Sequence, residues 1–154
     1  MLRKMLAALA ATGLLATLGV TIAHAGAGPS GSTVNYEPQL DPAHFGSTID
    51  NPYYPLPVGR TLIYRGQKDG VSQVERVHVT SSTRVIEGIT ATEISDVSMH
   101  NGRVLESTKD WYAQDDQGNV WYLGEHTKAF SANGHVDTSG SWLSGVNDGE
   151  PGII

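Results

Sequence analysis

Cysteine is absent from the 154 residues, which excludes disulfides, thiol nucleophiles, thiolate metal sites and thiol-linked lipids together. Positive charge is scarce: ten Lys and Arg stand against sixteen Asp and Glu, a formal charge of −6. A chain with that balance is not expected to take nucleic acid or an anionic polymer as a partner. No phosphate-binding glycine motif occurs, no Gly-x-Ser-x-Gly elbow, and no close histidine pair: His44, His78, His100, His126 and His135 are scattered. Neither a cofactor nor a transition metal is therefore expected, and catalysis has no positive support. Long apolar runs are confined to residues 5–23, and no helical periodicity survives beyond them.

That apolar run follows Arg3 and Lys4 and ends at Ala23-His24-Ala25 before Gly26. The arrangement predicts a secretory signal peptide over residues 1–25, helical and cleaved after Ala25, with a retained membrane anchor as the alternative. Loss of Arg3 and Lys4 takes the formal charge from −6 to −8. A periplasmic or secreted location follows, without membrane association after cleavage, and export without disulfides favours a bacterial source. The remainder, about 130 residues, fits a single core. Residues 26–35 read as a flexible Gly/Ser-rich linker. Residues 36–58 carry Pro38, Pro42, Pro52, Pro55 and Pro57 among scattered apolar side chains. Repeated proline forbids a central strand or a long helix, so this segment is an irregular cover.

Residues 59–154 form the β domain. Asp69-Gly70, Glu87-Gly88, Asn101-Gly102, Gln117-Gly118 and Asn133-Gly134 recur between segments rich in Val, Ile, Thr, Trp and Tyr. Each is a turn signal. They predict an all-β fold, an up-and-down antiparallel meander of about six long strands in a curved sheet or incomplete barrel. The expected strands are Thr61 to Gln67, Val71 to Ile86, Ile89 to Met99, Arg103 to Asp115, Asn119 to Phe130 and His135 to Trp142. The central hairpin is the most legible. A three-residue loop from Asp116 to Gly118 sets Ala113 opposite Trp121, Tyr112 opposite Tyr122 and Trp111 opposite Leu123, with both tryptophans on one face.

Two sets of site residues follow. Trp111, Trp121 and Leu123 form an aromatic face suited to a small apolar or amphipathic ligand or a partner protein, unless it is simply core. With a three-residue loop over His100 to Gly102, Glu93, Lys109 and Glu125 line up beside it. A two-residue loop would reverse the faces and dissolve that row. The favoured reading is a noncatalytic binding domain. The alternative is a hydrolase-like enzyme using carboxylates and His126 at the open end of the sheet, for which Asp96, Glu106 and Asp110 would have to be gathered by folding. Asp115-Asp116-Gln117-Gly118-Asn119 has turn chemistry and lacks the alternate carboxylates of a calcium loop.

The Pro-Tyr-x-Pro-Leu segment at Pro52 to Leu56 and the hairpin Asp110 to Tyr122 together resemble a group of exported bacterial proteins to which no activity is assigned. The resemblance covers nearly all of the sequence after the signal. In that group Pro151-Gly152-Ile153-Ile154 looks like mid-chain, so further strands are expected beyond it. On this reading the last strand is an uncovered edge prone to self-association.

Overall fold

The computed structural model describes residues 36–68 and 70–154, so the expected signal peptide and linker lie outside the described residues. The chain is all-β, an antiparallel meander in an open sheet. The described residues hold nine strands: β1 Phe45–Gly46, β2 Thr61–Lys68, β3 Val71–Ile86, β4 Ile89–His100, β5 Arg103–Asp115, β6 Val120–Phe130, β7 Val136–Asp137, β8 Trp142–Leu143 and β9 Gly152–Ile153. A 3₁₀ turn, Pro42–His44, precedes β1, and no α-helix occurs among the described residues. The spatial order is β2-β3-β4-β5-β6-β7, the order of the sequence.

Turn chemistry sets the register. At β3–β4, Glu87 and Gly88 have φ of 49° and 81°; at β4–β5, Asn101 and Gly102 have 48° and 77°. Two successive positive φ values make the tight turn whose twist matches the flanking strands, and Asn and Gly tolerate that region best. Three irregularities then shift the ladders: residues 80–82 bulge out of β3 opposite Glu93, Leu105 is the extra residue of β5 opposite Ser98 and Met99, and Leu123 is the extra residue of β6 between Tyr122 and Gly124.

The expected strand from His135 to Trp142 is the main correction. It is broken into β7 and β8, because the chain turns at Thr138, whose carbonyl accepts from Ser141 N–H at 3.0 Å. A second turn places Asn147 and Asp148 at positive φ. The segment nevertheless returns to β6 three times: Ala129 pairs with Asp137, Gly124 with Leu143 and Trp121 with Ile153. The edge of β6 is thus covered in pieces, and the tail beyond the last expected strand supplies β9. The outer rim presents short interrupted ladders, the form in which natural edges resist pairing.

The proline-rich segment covers the turn end of the sheet and reaches both faces. Gln114 clamps it, accepting from the N–H groups of Asp50 and Asn51 at 2.9 and 2.8 Å and donating to Asp50 Oδ1 at 2.7 Å. Ile49 and Leu56 are then buried with Val79, Ile94 and Val120 on one face. Leu40 and Phe45 close the other, over Ile86, Ile89, Ala91, Trp111, Ala113 and Leu123.

Candidate functional site

Alternation along β3 to β6 gives the sheet two faces of different chemistry. The tryptophan face holds two of the three residues singled out as an aromatic surface as core: Trp111 is 3% exposed and Leu123 is fully buried, while Trp121 packs half-buried against them. Arg84 lies 4.5 Å over the Trp111 ring, a cation–π contact that seals the cluster's rim. The three are brought together, but as packing, with no room for a ligand between Trp111 and Leu123. Beside Trp121, at the turn end, lies a shallow depression of about 400 Å³ bordered by Asp41, His44, Phe45 and Asp116. There His44 Nδ1 sits 2.7 Å from Asp116 Oδ2, which raises the imidazole pKa. Asp115 accepts from Asn119 N and Nδ2, Gln117 N and Trp121 Nε1 at 2.8 to 3.0 Å. Burial pushes that carboxyl up, but the donors outweigh it and hold it below the usual range.

The predicted charged row is half formed. The β4–β5 turn has two residues, not three, which alone would place Glu93 and Lys109 on opposite faces. The bulge at Leu105 adds the missing residue and restores the parity. Glu93 now stands opposite Trp111, and Lys109 reaches it diagonally, Nζ to Oε2 at 3.2 Å. Glu125 does not join them. The bulge at Leu123 turns it to the other face, directly opposite Asp110, and leaves His126 opposite Lys109.

Gly124 makes this bulge feasible. Its φ is +145°, and a Cβ there would lie 2.6 Å from the Trp142 carbonyl oxygen. Only glycine combines that backbone conformation with so close an approach by the neighbouring segment.

The opposite, tyrosine face carries the chemistry. The registers place Glu75, Asp96, Glu106, Asp110 and Glu125 on it, beside Tyr112 and Tyr122. Tyr112 and Tyr122 stack with centroids 4.7 Å apart, Tyr54 meets Tyr112 edge-on at 5.9 Å, and Trp142 meets Tyr122 edge-on at 5.2 Å. The Tyr122 hydroxyl lies 2.6 Å from Asp110 Oδ1 and 2.8 Å from Glu125 Oε2. Asp110 and Glu125 are each 7% exposed, and Glu125 Oε1 is buried without a hydrogen-bond partner. Thr108 and Thr127 share a hydroxyl bond at 2.8 Å beneath them.

Burial raises every resolved carboxyl on this face. Asp110 is pushed up to about 7, chiefly by burial, with Glu125, Glu106 and Glu75 adding to it and the Tyr122 hydroxyl opposing. Asp96 rises to about 8 through burial and then its bond to Glu75. Glu125 is raised by burial against the opposing Tyr122 bond. None of the five is in an ion pair with a Lys or Arg among the described residues, whereas the Lys109–Glu93 pair is on the far face. Among the described residues, no three His, Asp or Glu side chains converge closely enough to hold a metal ion.

Asp96, Glu106 and Asp110, scattered in sequence, are therefore gathered onto one face. Glu75 and the turning of Glu125 were not foreseen. The signal for Glu106 and Asp110 was the alternation of Glu106, Thr108, Asp110 and Tyr112 along one strand. No family model, curated protein or solved structure matches the chain.

Proposed function

We propose that this is an exported, noncatalytic β domain of the bacterial group it resembles, and that it binds a small organic polycation on the tyrosine face. The observation that carries this reading is the set of five carboxyls on that face, none in an ion pair with a Lys or Arg among the described residues: Glu106 is exposed and Glu75 and Asp96 are half-buried, within reach of a ligand, while Asp110 and Glu125 lie buried behind them. Unpaired carboxylates crowded on one surface repel one another and are stabilised by a cation. Neighbours across strands stand about 5 Å apart and those along a strand about 7 Å. Among the described residues no three of these carboxyls converge as a bare metal ion requires, whereas a row of them suits ammonium groups separated by methylenes. The packed Tyr54, Tyr112 and Tyr122 rings supply an aromatic wall for the alkyl chain. The ligand is thus amphipathic, as the sequence suggests, but its seat is the face opposite the tryptophans.

A hydrolase using carboxylates and His126 is less well supported. His126 is on the tryptophan side, away from Asp110 and Glu125, and those two carboxyls are nearly closed to solvent.

Calorimetric titration with spermidine tests the proposal. Saturable binding at pH 8 that weakens with added salt, and is lost in the Asp96→Asn/Glu106→Gln double variant, is the expected result. Absence of saturable heat, or equal binding by the double variant, would overturn it.

A further inference from the structure

Tyr122 stands between two carboxyl groups. Its hydroxyl has a single hydrogen, yet carboxyl oxygens of Asp110 and Glu125 approach it to 2.6 and 2.8 Å. It donates to one of them and accepts from the other, so the other must be a protonated carboxyl. From the geometry we infer that Asp110, Tyr122 and Glu125 form a site for one proton, and that its occupancy fastens the strap of residues 138–143 onto β6.

The strap is built around this site. Trp142 is the register partner of Glu125 and packs edge-on against Tyr122. Gly140 runs so close that a Cβ there would lie 2.9 Å from Thr127 Cγ2 and 3.8 Å from Glu125 Oε1. Thr127 N–H donates to Ser141 Oγ at 3.0 Å, a bond made only while the strap is down. Ser144, just beyond, is tied separately: its N–H donates to the Leu123 carbonyl and its hydroxyl bonds Glu87. The strap can therefore lift while its far end stays fixed.

Among the described residues, every titratable group facing the site is acidic or phenolic. Glu75 comes from β3, Asp96 from β4, Glu106 and Tyr112 from β5 and Tyr54 from the cover. Residues 138–143 contribute no titratable side chain. When the proton leaves, two buried carboxylates face one hydroxyl with no cation to replace it. Relief comes from hydrating Glu125, and the group that shields Glu125 is the strap. Lifting it bares the middle of the β6 edge.

Carboxyl-carbon NMR and residue-resolved amide exchange between pH 5 and pH 9 test the inference. One of Asp110 and Glu125 should titrate well above the ordinary carboxyl range. The Thr127 amide should lose about tenfold or more of its protection across that range while the Ser144 amide keeps its own. Glu125→Gln imitates the protonated carboxyl and should keep Thr127 protected at both pH values; Asp110→Asn does the same from the other side if the first variant does not fold. The inference is overturned if both carboxyls titrate in the ordinary range, if Thr127 and Ser144 change together or not at all, or if a folded amide variant still opens with pH.

Discussion

The two faces of one sheet are made by alternate residues of the same strands, yet they are built on opposite principles. On the tryptophan face, Trp111, Leu123, Ala91 and Ile89 exclude water by close packing, and the exposed ion pair of Lys109 and Glu93 lies at the margin. On the tyrosine face, Asp110, Glu125, Thr108 and Thr127 are as buried as much of the apolar core, but each must find a proton or a hydroxyl to stay there. The first face depends chiefly on volume. The second depends on protonation and tolerates changes of volume better than changes of charge.

The largest expected effect breaks the packed face. Trp111→Ala leaves a cavity in the centre of the cluster and should cost about 3 to 5 kcal/mol in urea unfolding. A loss below about 1 kcal/mol would mean that the face is not core.

Next comes pH. The Asp110 carboxyl is raised from 3.8 to about 7 in the folded chain. Its protonated form is favoured by folding, so the associated stability is complete below pH 3.8 and is lost as pH rises through about 7. At 1.36 kcal/mol per pH unit the contribution is on the order of 4 kcal/mol. Asp115, held low by its donors, works in the reverse sense and loses stability only at strongly acid pH. Urea midpoints should therefore be higher at pH 5 than at pH 8. Asp110→Asn should flatten that slope, while Trp111→Ala should lower both ends and leave the slope intact.

Gly124→Ala falls between the two faces. The residue's φ of +145° and the Trp142 carbonyl at 2.6 Å from its would-be Cβ make any side chain strained, at a cost of about 1 to 3 kcal/mol. Amide exchange should show the loss first in the segment paired with Gly124 and only later in the sheet centre. The smallest effect is Lys109→Ala, which removes an ion pair that is half open to solvent and should change stability by under about 1 kcal/mol.

The turns and long strands were legible because glycine at a positive-φ position is a local signal, and Gly70, Gly88, Gly102, Gly118 and Gly134 all adopt it. The bulge at Leu105 carries no such signal, since one extra Leu in a strand looks like any other residue; the bulge at Leu123 is marked only by Gly124, a lone glycine inside a strand pattern. Leu105 and Leu123 show how much depends on them. The first offset a misjudged turn and kept Glu93 with Lys109; the second sent Glu125 to the other face and created the site with Asp110. The broken final strand had local signals that were passed over: Ser139 N–H donates to Asp137 Oδ1 at 2.8 Å, and Gly145, Asn147 and Asp148 take positive φ in the turns after Asp137 and Leu143.

If the polycation seats as proposed, packing and ligand recognition are divided between the two faces. Chemical-shift mapping with spermidine at pH 8 decides between them. The predicted result is saturable shifts at Asp96, Glu106, Asp110 and the Tyr112 and Tyr122 rings, with Ala91, Ala113 and the Trp111 indole unmoved. Shifts centred on Trp111, Trp121 and Leu123, or none on either face, would contradict it.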